Sequence, residues 1–247
     1  MKRYMVGALI LLMGFALIAG CTDDGEEEEG DVWKITINES EYDLEEIFDE
    51  FQTTTVTGSN DVEYEGVSLK VLLEDAGVSD LSAHTYTITA ADEEPYFKNV
   101  THLDIEAGIL VMEDKMTVFP DLPGKYRVKD VVSIEPFDGG TITINNKLYT
   151  WMQPFDIFTS DIQMVDDENN TYEGILLSDL INGTSLDNPQ DYNFTITAEG
   201  DSYSVEVTWD DMLKGLLVND DDHMTFFPHL TKKYRVKDIV EIEVVSK

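Results

Sequence analysis

The chain is poor in cysteine, since Cys21 is the only one among 247 residues. A single cysteine excludes an internal disulfide. It also leaves the sequence after Cys21 without a thiolate that could bind a metal ion. The position of Cys21 is informative, because it directly follows an apolar stretch near the start of the chain.

The chain is also poor in positively charged residues. The chain has 16 lysines and arginines against 51 acidic residues, which gives a formal net charge of -35. Such a polyanion repels the phosphate backbone of nucleic acids, so we exclude DNA and RNA as partners. A hydrophobic content of 42% is nevertheless enough for ordinary packed cores.

Residues 1–20 are predicted to be a signal peptide. Lys2 and Arg3 precede an apolar stretch, and residues 18–21 read Ile-Ala-Gly-Cys. This pattern resembles a lipobox, so we expect cleavage before Cys21, a lipid on its thiol and the mature protein on the outer face of the membrane. The alternative is an uncleaved anchor helix, although roughly fifteen apolar residues fall short of the ~20 that a spanning helix needs.

Residues 21–31 are predicted to be an acidic tether. Four consecutive glutamates, 26–29, lie in this segment next to glycines. Because it cannot bury apolar surface, we expect it to stay extended and to hold the folded part away from the membrane.

The remainder of the chain is a tandem duplication. The sequence Tyr-Arg-Val-Lys-Asp at 126–130 returns 108 residues later at 234–238, and the sequences around it also return. We therefore predict two homologous domains, repeat 1 at residues 32–138 and repeat 2 at residues 139–247, with the boundary at Asp-Gly-Gly 138–140.

Hydrophobic periodicity predicts that each repeat is a compact α+β domain, predominantly β, with short helices. The basic segment 126–134 is predicted to be its terminal strand. Tyr126, Val128, Val132 and Ile134 share one parity of that strand and are expected to face the core, whereas the cations between them are expected to face away.

The order of these elements, together with Tyr-Glu-Gly-Val-Ser-Leu at 64–69, Ala-Gly-Val at 76–78 and the Arg-Val-Lys segment, resembles the molybdopterin-binding domain of the sulfite oxidase family. The resemblance covers nearly all of 32–137 and, less closely, 140–247. It implies two tandem, compact sulfite-oxidase-like domains.

In enzymes of that family, a cysteine thiolate binds molybdenum at the end of the β segment that precedes the Gly-Val-x-Leu helix. Here the matching segments are 53–58, which has no sulfur, and 161–165, which has only the thioether of Met164. A hydroxyl or a thioether is a poor substitute for a soft thiolate. We therefore expect no catalytic residue and no bound metal, with molybdopterin suggested by the resemblance alone.

Four basic residues match a family stretch that approaches the pterin, and they are our candidate cofactor-binding or anion-binding residues: Arg127, Lys129, Arg235 and Lys237. Cations that project from one segment can make charge-assisted hydrogen bonds to an anion. The alternative interpretation is that they neutralise the acidic surface of the protein itself.

These observations favour a non-catalytic binding or interaction module at the cell surface, with an anionic small molecule or a protein as its partner. One alternative is a molybdopterin-dependent oxidoreductase that lacks a cysteine ligand. A second alternative is a calcium-stabilised structural or adhesive protein, because the loops at 166–168 and 220–222 carry clustered carboxylates that are otherwise simply solvated.

Exported chains can also be glycosylated at Asn-x-Ser/Thr sequences. Five such positions are candidate glycan sites: Asn38, Asn99, Asn169, Asn182 and Asn193.

Overall fold

Strands dominate the computed structural model. The structure describes residues 32–92, 96–158, 161–201, 203–220 and 222–247. Within these residues it has four sheets and six α-helices, which confirms the predicted α+β class with a predominance of β structure. The predicted signal peptide, Cys21 and the tether lie outside the described residues. No helix in the described part of the chain is long and apolar enough to span a membrane.

Repeat 1 contains nine strands and three helices among its described residues. In chain order they are β1 (Lys34–Ile37), β2 (Ser40–Asp43), α1 (Leu44–Glu50), β3 (Thr53–Thr57), β4 (Glu63–Ser68), α2 (Leu69–Asp75), β5 (Thr85–Ala90), β6 (Phe97–Val100), α3 (His102–Ala107), β7 (Ile109–Val111), β8 (Met116–Val118) and β9 (Val131–Phe137).

Repeat 2 forms the same series of elements. They are β10 (Thr141–Ile144), β11 (Lys147–Thr150), α4 (Gln153–Ile157), β12 (Ile162–Val165), β13 (Thr171–Leu176), α5 (Leu177–Asn182), β14 (Tyr192–Ala198), β15 (Ser204–Thr208), α6 (Trp209–Met212), β16 (Leu216–Val218), β17 (Thr225–Phe226) and β18 (Ile239–Ser246).

Each repeat forms one five-stranded and one four-stranded sheet. The larger sheets have the orders β2-β1-β9-β5-β6 and β11-β10-β18-β14-β15, and the smaller sheets have the orders β3-β4-β7-β8 and β12-β13-β16-β17. The last strand of each repeat is therefore central, parallel to the first strand and antiparallel to β5 or β14. This pairing brings the two ends of each repeat together.

The Tyr-Glu-Gly motif has a packing role in both repeats. A Cβ atom on Gly66 would collide with the backbone carbonyl of Leu110, and one on Gly174 would collide with that of Leu217. Only glycine lets β4 and β13 approach the neighbouring strand this closely. The glycine of the Ala-Gly-Val motif also has a structural role, since Gly77 has a φ of 91° just after the end of α2.

The basic segment corrects the sequence-based expectation. Residues 124–126 form a 3-10 turn, and strand β9 begins only at Val131. Asp130 has a φ of 49°, a left-handed conformation that interrupts the alternation of the chain. Val128 is buried as predicted, but Val131 takes the core position that the alternation assigned to Val132.

The two repeats pack against each other through α4. Ile157 of this helix contacts the hydrophobic cores of both repeats. Asp156 accepts hydrogen bonds from Lys98 Nζ at 2.8 Å and from the Tyr126 hydroxyl at 3.1 Å, and Gln153 Nε2 donates to Asp104 at 2.9 Å. Polar contacts therefore set the position of α4 on repeat 1.

We predict that Val128→Asp destabilises the fold by about 3 kcal/mol or more, because the side chain is fully buried and a carboxylate there has no partner. Val236→Asp should behave alike, since Val236 is equally buried. Chemical denaturation measures both, with Val71→Asp as the exposed control. Equal stability of Val128→Asp and Val71→Asp would contradict the assignment of Val128 to the core.

Candidate functional site

The candidate site lies where the hairpin of strands β3 and β4 meets the segment before β9. We call it the Arg127 pocket, formed by Gly58, Asn60, Tyr64 and Arg127. Arg127 Nη1 donates to the Tyr64 hydroxyl at 2.8 Å, and Asn60 Nδ2 donates to the same oxygen at 3.1 Å. Both Arg127 and Tyr64 are half-buried, so the guanidinium is held in place and still reaches the surface.

Repeat 2 builds the matching Arg235 pocket from Asp166, Tyr172, Phe226 and Arg235. Arg235 Nη1 donates to the Tyr172 hydroxyl at 2.9 Å, and Arg235 Nη2 lies 3.1 Å from Asp166 Oδ2. The guanidinium also lies over the ring of Phe226 at 4.9 Å and that of Tyr172 at 5.2 Å. These contacts combine an ion pair with cation–π packing.

Asp166 is an integral part of the Arg235 pocket. Its side chain is only 5% exposed, and it also accepts hydrogen bonds from the backbone N–H groups of Glu168 and Asn170. Burial alone would raise the pKa of the Asp166 carboxyl, but the hydrogen bonds from Asn170 and from Arg235 outweigh it. They hold the pKa well below its usual value of 3.8.

The two pockets differ mainly in the residue that begins the hairpin turn. Gly58 and Asp166 are equivalent positions, 108 residues apart, as are the two tyrosines and the two arginines. The turns have the same backbone hydrogen bonds, from Gly58 N to Val62 O at 2.8 Å and from Asp166 N to Asn170 O at 3.0 Å. The Arg127 pocket thus has the framework of the Arg235 pocket but not its carboxylate.

Tyr64 and Arg127 in this pocket have hydrogen-bond donors for which no described residue supplies an acceptor. The Tyr64 oxygen accepts hydrogen bonds from two donors, and its own proton has no acceptor among the residues that the structure describes. Arg127 likewise forms no salt bridge with any described residue. The pocket therefore presents the Arg127 guanidinium and the Tyr64 hydroxyl as donors, beside the acceptor Oδ1 of Asn60, and such donors can receive an anion.

The two candidate lysines do not join the arginines. Lys129 Nζ lies 2.6 Å from Asp114, and Lys237 forms a salt bridge with Asp222. Both lysines are exposed, with 61% and 58% of their side chains accessible, so these pairs contribute little to stability. Their role as ligand-binding residues remains a prediction, and their observed partners match the alternative that they neutralise the acidic surface.

The donor set at the position of the family's metal thiolate does not fit a thiolate-bound metal. Strand β3 ends at Thr57 and β12 ends at Val165, and Met164 packs in a small hydrophobic cluster. Among the described residues, no three His, Cys, Asp or Glu side chains come together to hold a metal ion. Asp221, part of one carboxylate cluster, lies outside the described residues.

The five candidate glycan sites differ in their surroundings. Asn38 Nδ2 donates to Ala76 O at 2.8 Å, Asn193 Nδ2 donates to Glu206 at 2.7 Å, and Asn99 accepts from Thr87 at 2.8 Å. Asn169 and Asn182 are instead exposed. Three of the five asparagines therefore form side-chain hydrogen bonds within the fold, and the other two are exposed.

Strand content, topology and the paired pockets define a tandem-repeat α+β protein with an arginine-centred pocket in each repeat. No family model matches the chain, and no curated protein matches it. Among solved structures, the chain is similar to the sulfane dehydrogenase SoxCD from Paracoccus pantotrophus, with a TM-score of 0.37 and 13% sequence identity over 87% of this chain and 78% of that chain. A likeness this weak carries no conclusion about activity or ligand.

The sequence reasoning identified the two arginines but missed their partners. Tyr64 and Tyr172 were assigned only to a helix-entry motif, and Asp166 only to an acidic cluster. The signal was present in the repeat itself, because aligning the copies places Gly58 opposite Asp166. The alignment cannot show that the hairpin and the basic segment contact each other.

We predict that Asp166→Asn lowers the melting temperature at neutral pH and that the difference from wild type becomes smaller in acid. Because the pKa of Asp166 is depressed, its carboxylate contributes fully to stability above the unfolded-state pKa of 3.8, and this contribution decreases as the pH falls from there toward the lower pKa of the folded state. Thermal unfolding at pH 7 and near pH 2.5 measures the effect. Asp167→Asn, an exposed neighbour, is the control, and an equal loss at both pH values would contradict the assignment.

We also predict that folded protein exposed to an oligosaccharyltransferase is modified at Asn169 and Asn182 before Asn38 and Asn193. The amides of the last two already donate hydrogen bonds within the fold, so the enzyme has to break them. Glycopeptide mass spectrometry gives the occupancy of each position. Higher occupancy at Asn38 than at Asn169 would contradict the hydrogen bond to Ala76.

Proposed function

We propose that the chain is a non-catalytic binding module, held at the outer face of the membrane by a lipid on Cys21, which receives an anionic group in the Arg127 pocket. The observation that carries this proposal is the pair of equivalent pockets. One guanidinium is bound to a carboxylate of the chain, and the other has no acidic partner among the described residues.

The chemistry of the Arg127 pocket favours an anion over other ligands. A guanidinium offers a planar fork of donors that matches the two oxygens of a carboxylate or phosphate, and the Tyr64 hydroxyl adds a third donor. A cationic ligand would be repelled by the guanidinium of Arg127. The rest of the chain has a large negative charge, so an anion is stabilised at this position by local contacts and not by the overall field.

Two glycines distinguish the surroundings of Arg127 from those of Arg235. Gly58 stands where repeat 2 has Asp166, and Gly124 stands where repeat 2 has Lys232. A Cβ atom on Gly124 would collide with the guanidinium of Arg127, so this side chain lies closer to residue 124 than a larger residue would allow. The arginine–tyrosine hydrogen bond forms in both repeats, and the carboxylate partner is present only in repeat 2.

The finer assignment of the fold belongs to the same proposal. We infer that both repeats are compact, degenerate sulfite-oxidase-like domains, on the basis of the Tyr-Glu-Gly and Arg-Val-Lys motifs. In such a domain the pterin binds through basic residues, and the thiolate supplies the metal ligand. Stoichiometric molybdenum in protein purified from its own host would favour an oxidoreductase instead, and a large stabilisation by calcium but not magnesium would favour the calcium-dependent alternative.

The test uses the small number of arginines. The chain has three, and Arg3 lies in the predicted signal peptide, so the Nε–Hε NMR signals of Arg127 and Arg235 can be assigned with the variants Arg127→Lys and Arg235→Lys. We predict that sodium acetate or inorganic phosphate, added at constant ionic strength with sodium chloride, shifts the Arg127 signal saturably. We expect no shift of the Arg235 signal, because its guanidinium already donates a hydrogen bond to Asp166.

The matched control is Gly58→Asp, which gives repeat 1 the residue of repeat 2. A Cβ atom there lies 3.0 Å from the Asn60 side chain and 3.0 Å from the Tyr64 ring, so both side chains have to shift slightly, and none of the nearest atoms belongs to the backbone. We expect this variant to abolish the response of Arg127. Equal shifts of both arginine signals in the wild type, or none beyond the chloride control, would overturn the proposal.

A further inference from the structure

The Arg235 pocket repeats the arginine–tyrosine pair of the Arg127 pocket, and it has Asp166 in place of Gly58 and Glu168 in place of Asn60. We propose that it is a second carboxylate-binding site, which the chain keeps closed with its own Asp166. This inference rests on the proposed function, because it treats the open pocket of repeat 1 as the working form and the pocket of repeat 2 as its internally occupied copy.

The arginine of repeat 2 is held in place by more than its ion pair. Its guanidinium lies over Phe226 and Tyr172, and these two rings stack on each other with their centroids 4.1 Å apart. Arg235 Nη1 also donates to the Tyr172 hydroxyl, which in turn donates to Asp166 Oδ2. When the Asp166 side chain is removed, stacking on the two rings therefore keeps the guanidinium in position. A ligand that binds there loses less free energy to ordering of the arginine side chain.

The occupant of the closed site identifies the ligand class. Asp166 Oδ2 lies within hydrogen-bond distance of both Arg235 Nη2, at 3.1 Å, and the Tyr172 hydroxyl, at 3.2 Å. One carboxylate oxygen thus receives both donors. A ligand that replaces Asp166 has to present the same group, so the class is a carboxylate on a short chain, of which acetate is the smallest close copy of the aspartate side chain.

A groove beside the pocket gives such a ligand a path. It encloses about 300 Å³ and is lined by 166–168, Pro228, 230–232 and Arg235. Pro228 and Leu230 supply apolar surface, and Lys232 stands at the rim with its Nζ 2.7 Å from Glu168. The body of a carboxylate ligand can therefore lie against Pro228 and Leu230 while its charged end contacts Arg235.

The backbone of the turn explains how Asp166 can be lost without loss of the hairpin. Repeat 1 makes the same turn with glycine at the equivalent position, and Asp61 and Asn169 have matching φ values of 59° and 63°. The backbone path of this turn is therefore possible without the Asp166 side chain, and its removal costs the hydrogen bonds from the Glu168 and Asn170 N–H groups. Asp166→Gly converts the sequence of repeat 2 at this position into that of repeat 1.

The experiment is chemical rescue of Asp166→Gly in the full chain. We expect the variant to unfold at a lower temperature than the wild type and sodium acetate to restore part of the loss, with sodium chloride at equal ionic strength as the control. In the same samples, acetate should shift the Arg235 Nε–Hε signal saturably, whereas we expect no such shift in the wild type. Asp167→Gly controls for the effect of a glycine in this loop.

The outcomes separate the two proposals. If Arg127 responds to acetate and Arg235 of the Asp166→Gly variant does not, the closed second site is wrong and the proposed function stands. If only Arg235 of the variant responds, the carboxylate site of repeat 2 is confirmed and the proposed function of repeat 1 is wrong. Should Asp166→Gly fail to fold, Asp166→Ala with sodium formate makes the same test, and no response of Arg235 there overturns the inference.

Discussion

The pairing of the last strand of each repeat with its first strand is the constraint on which the structure depends. β9 lies between β1 and β5, and β18 lies between β10 and β14, so each repeat closes only when its end returns to its beginning. The residues just before the closing strand are then fixed in space. Asp130 and Asp238, with φ values of 49° and 50°, turn the chain into that strand and leave the preceding arginine free to reach the hairpin of the smaller sheet.

Duplication produced two frameworks whose details have diverged at a few positions. The hairpin turns, the tyrosines and the arginines are equivalent in the two repeats. One repeat has a glycine at the position where the other has an aspartate. A buried carboxylate beside a guanidinium is stable only if its hydrogen bonds are satisfied, and Asp166 meets this condition through Arg235, Tyr172 and its own turn. The same framework therefore holds an ion pair in one copy, and in the other the arginine has no acidic partner among the described residues.

The contact between the repeats shows the same divergence. Asp104 at the start of α3 caps its own helix and also accepts from Gln153 of repeat 2. Its equivalent, Asp211 at the start of α6, caps its helix and lies 2.9 Å from His229 of its own repeat. One copy of this capping aspartate thus joins the two repeats, while the other is satisfied locally. The repeats consequently have distinct positions in the tandem and are not interchangeable.

Local chemistry in the sequence determined much of the fold. Hydrophobic periodicity predicted the predominance of strands and the short helices in both repeats, because this pattern depends on residues close together in the chain. The duplication itself was readable from the motif at 126–130. The sequence also singled out Arg127 and Arg235, since arginine is rare in this chain.

Tertiary structure decided what those residues contact. The prediction of a basic strand was wrong because an alternating pattern does not reveal a left-handed residue such as Asp130, which an aspartate can adopt at small cost. Arg127 and Tyr64 are 63 residues apart, and only the closure of the repeat by β9 brings them to hydrogen-bond distance. Whether a charge is paired depends on such distant contacts, so the sequence identified the arginines and the fold determined which of them has a carboxylate partner.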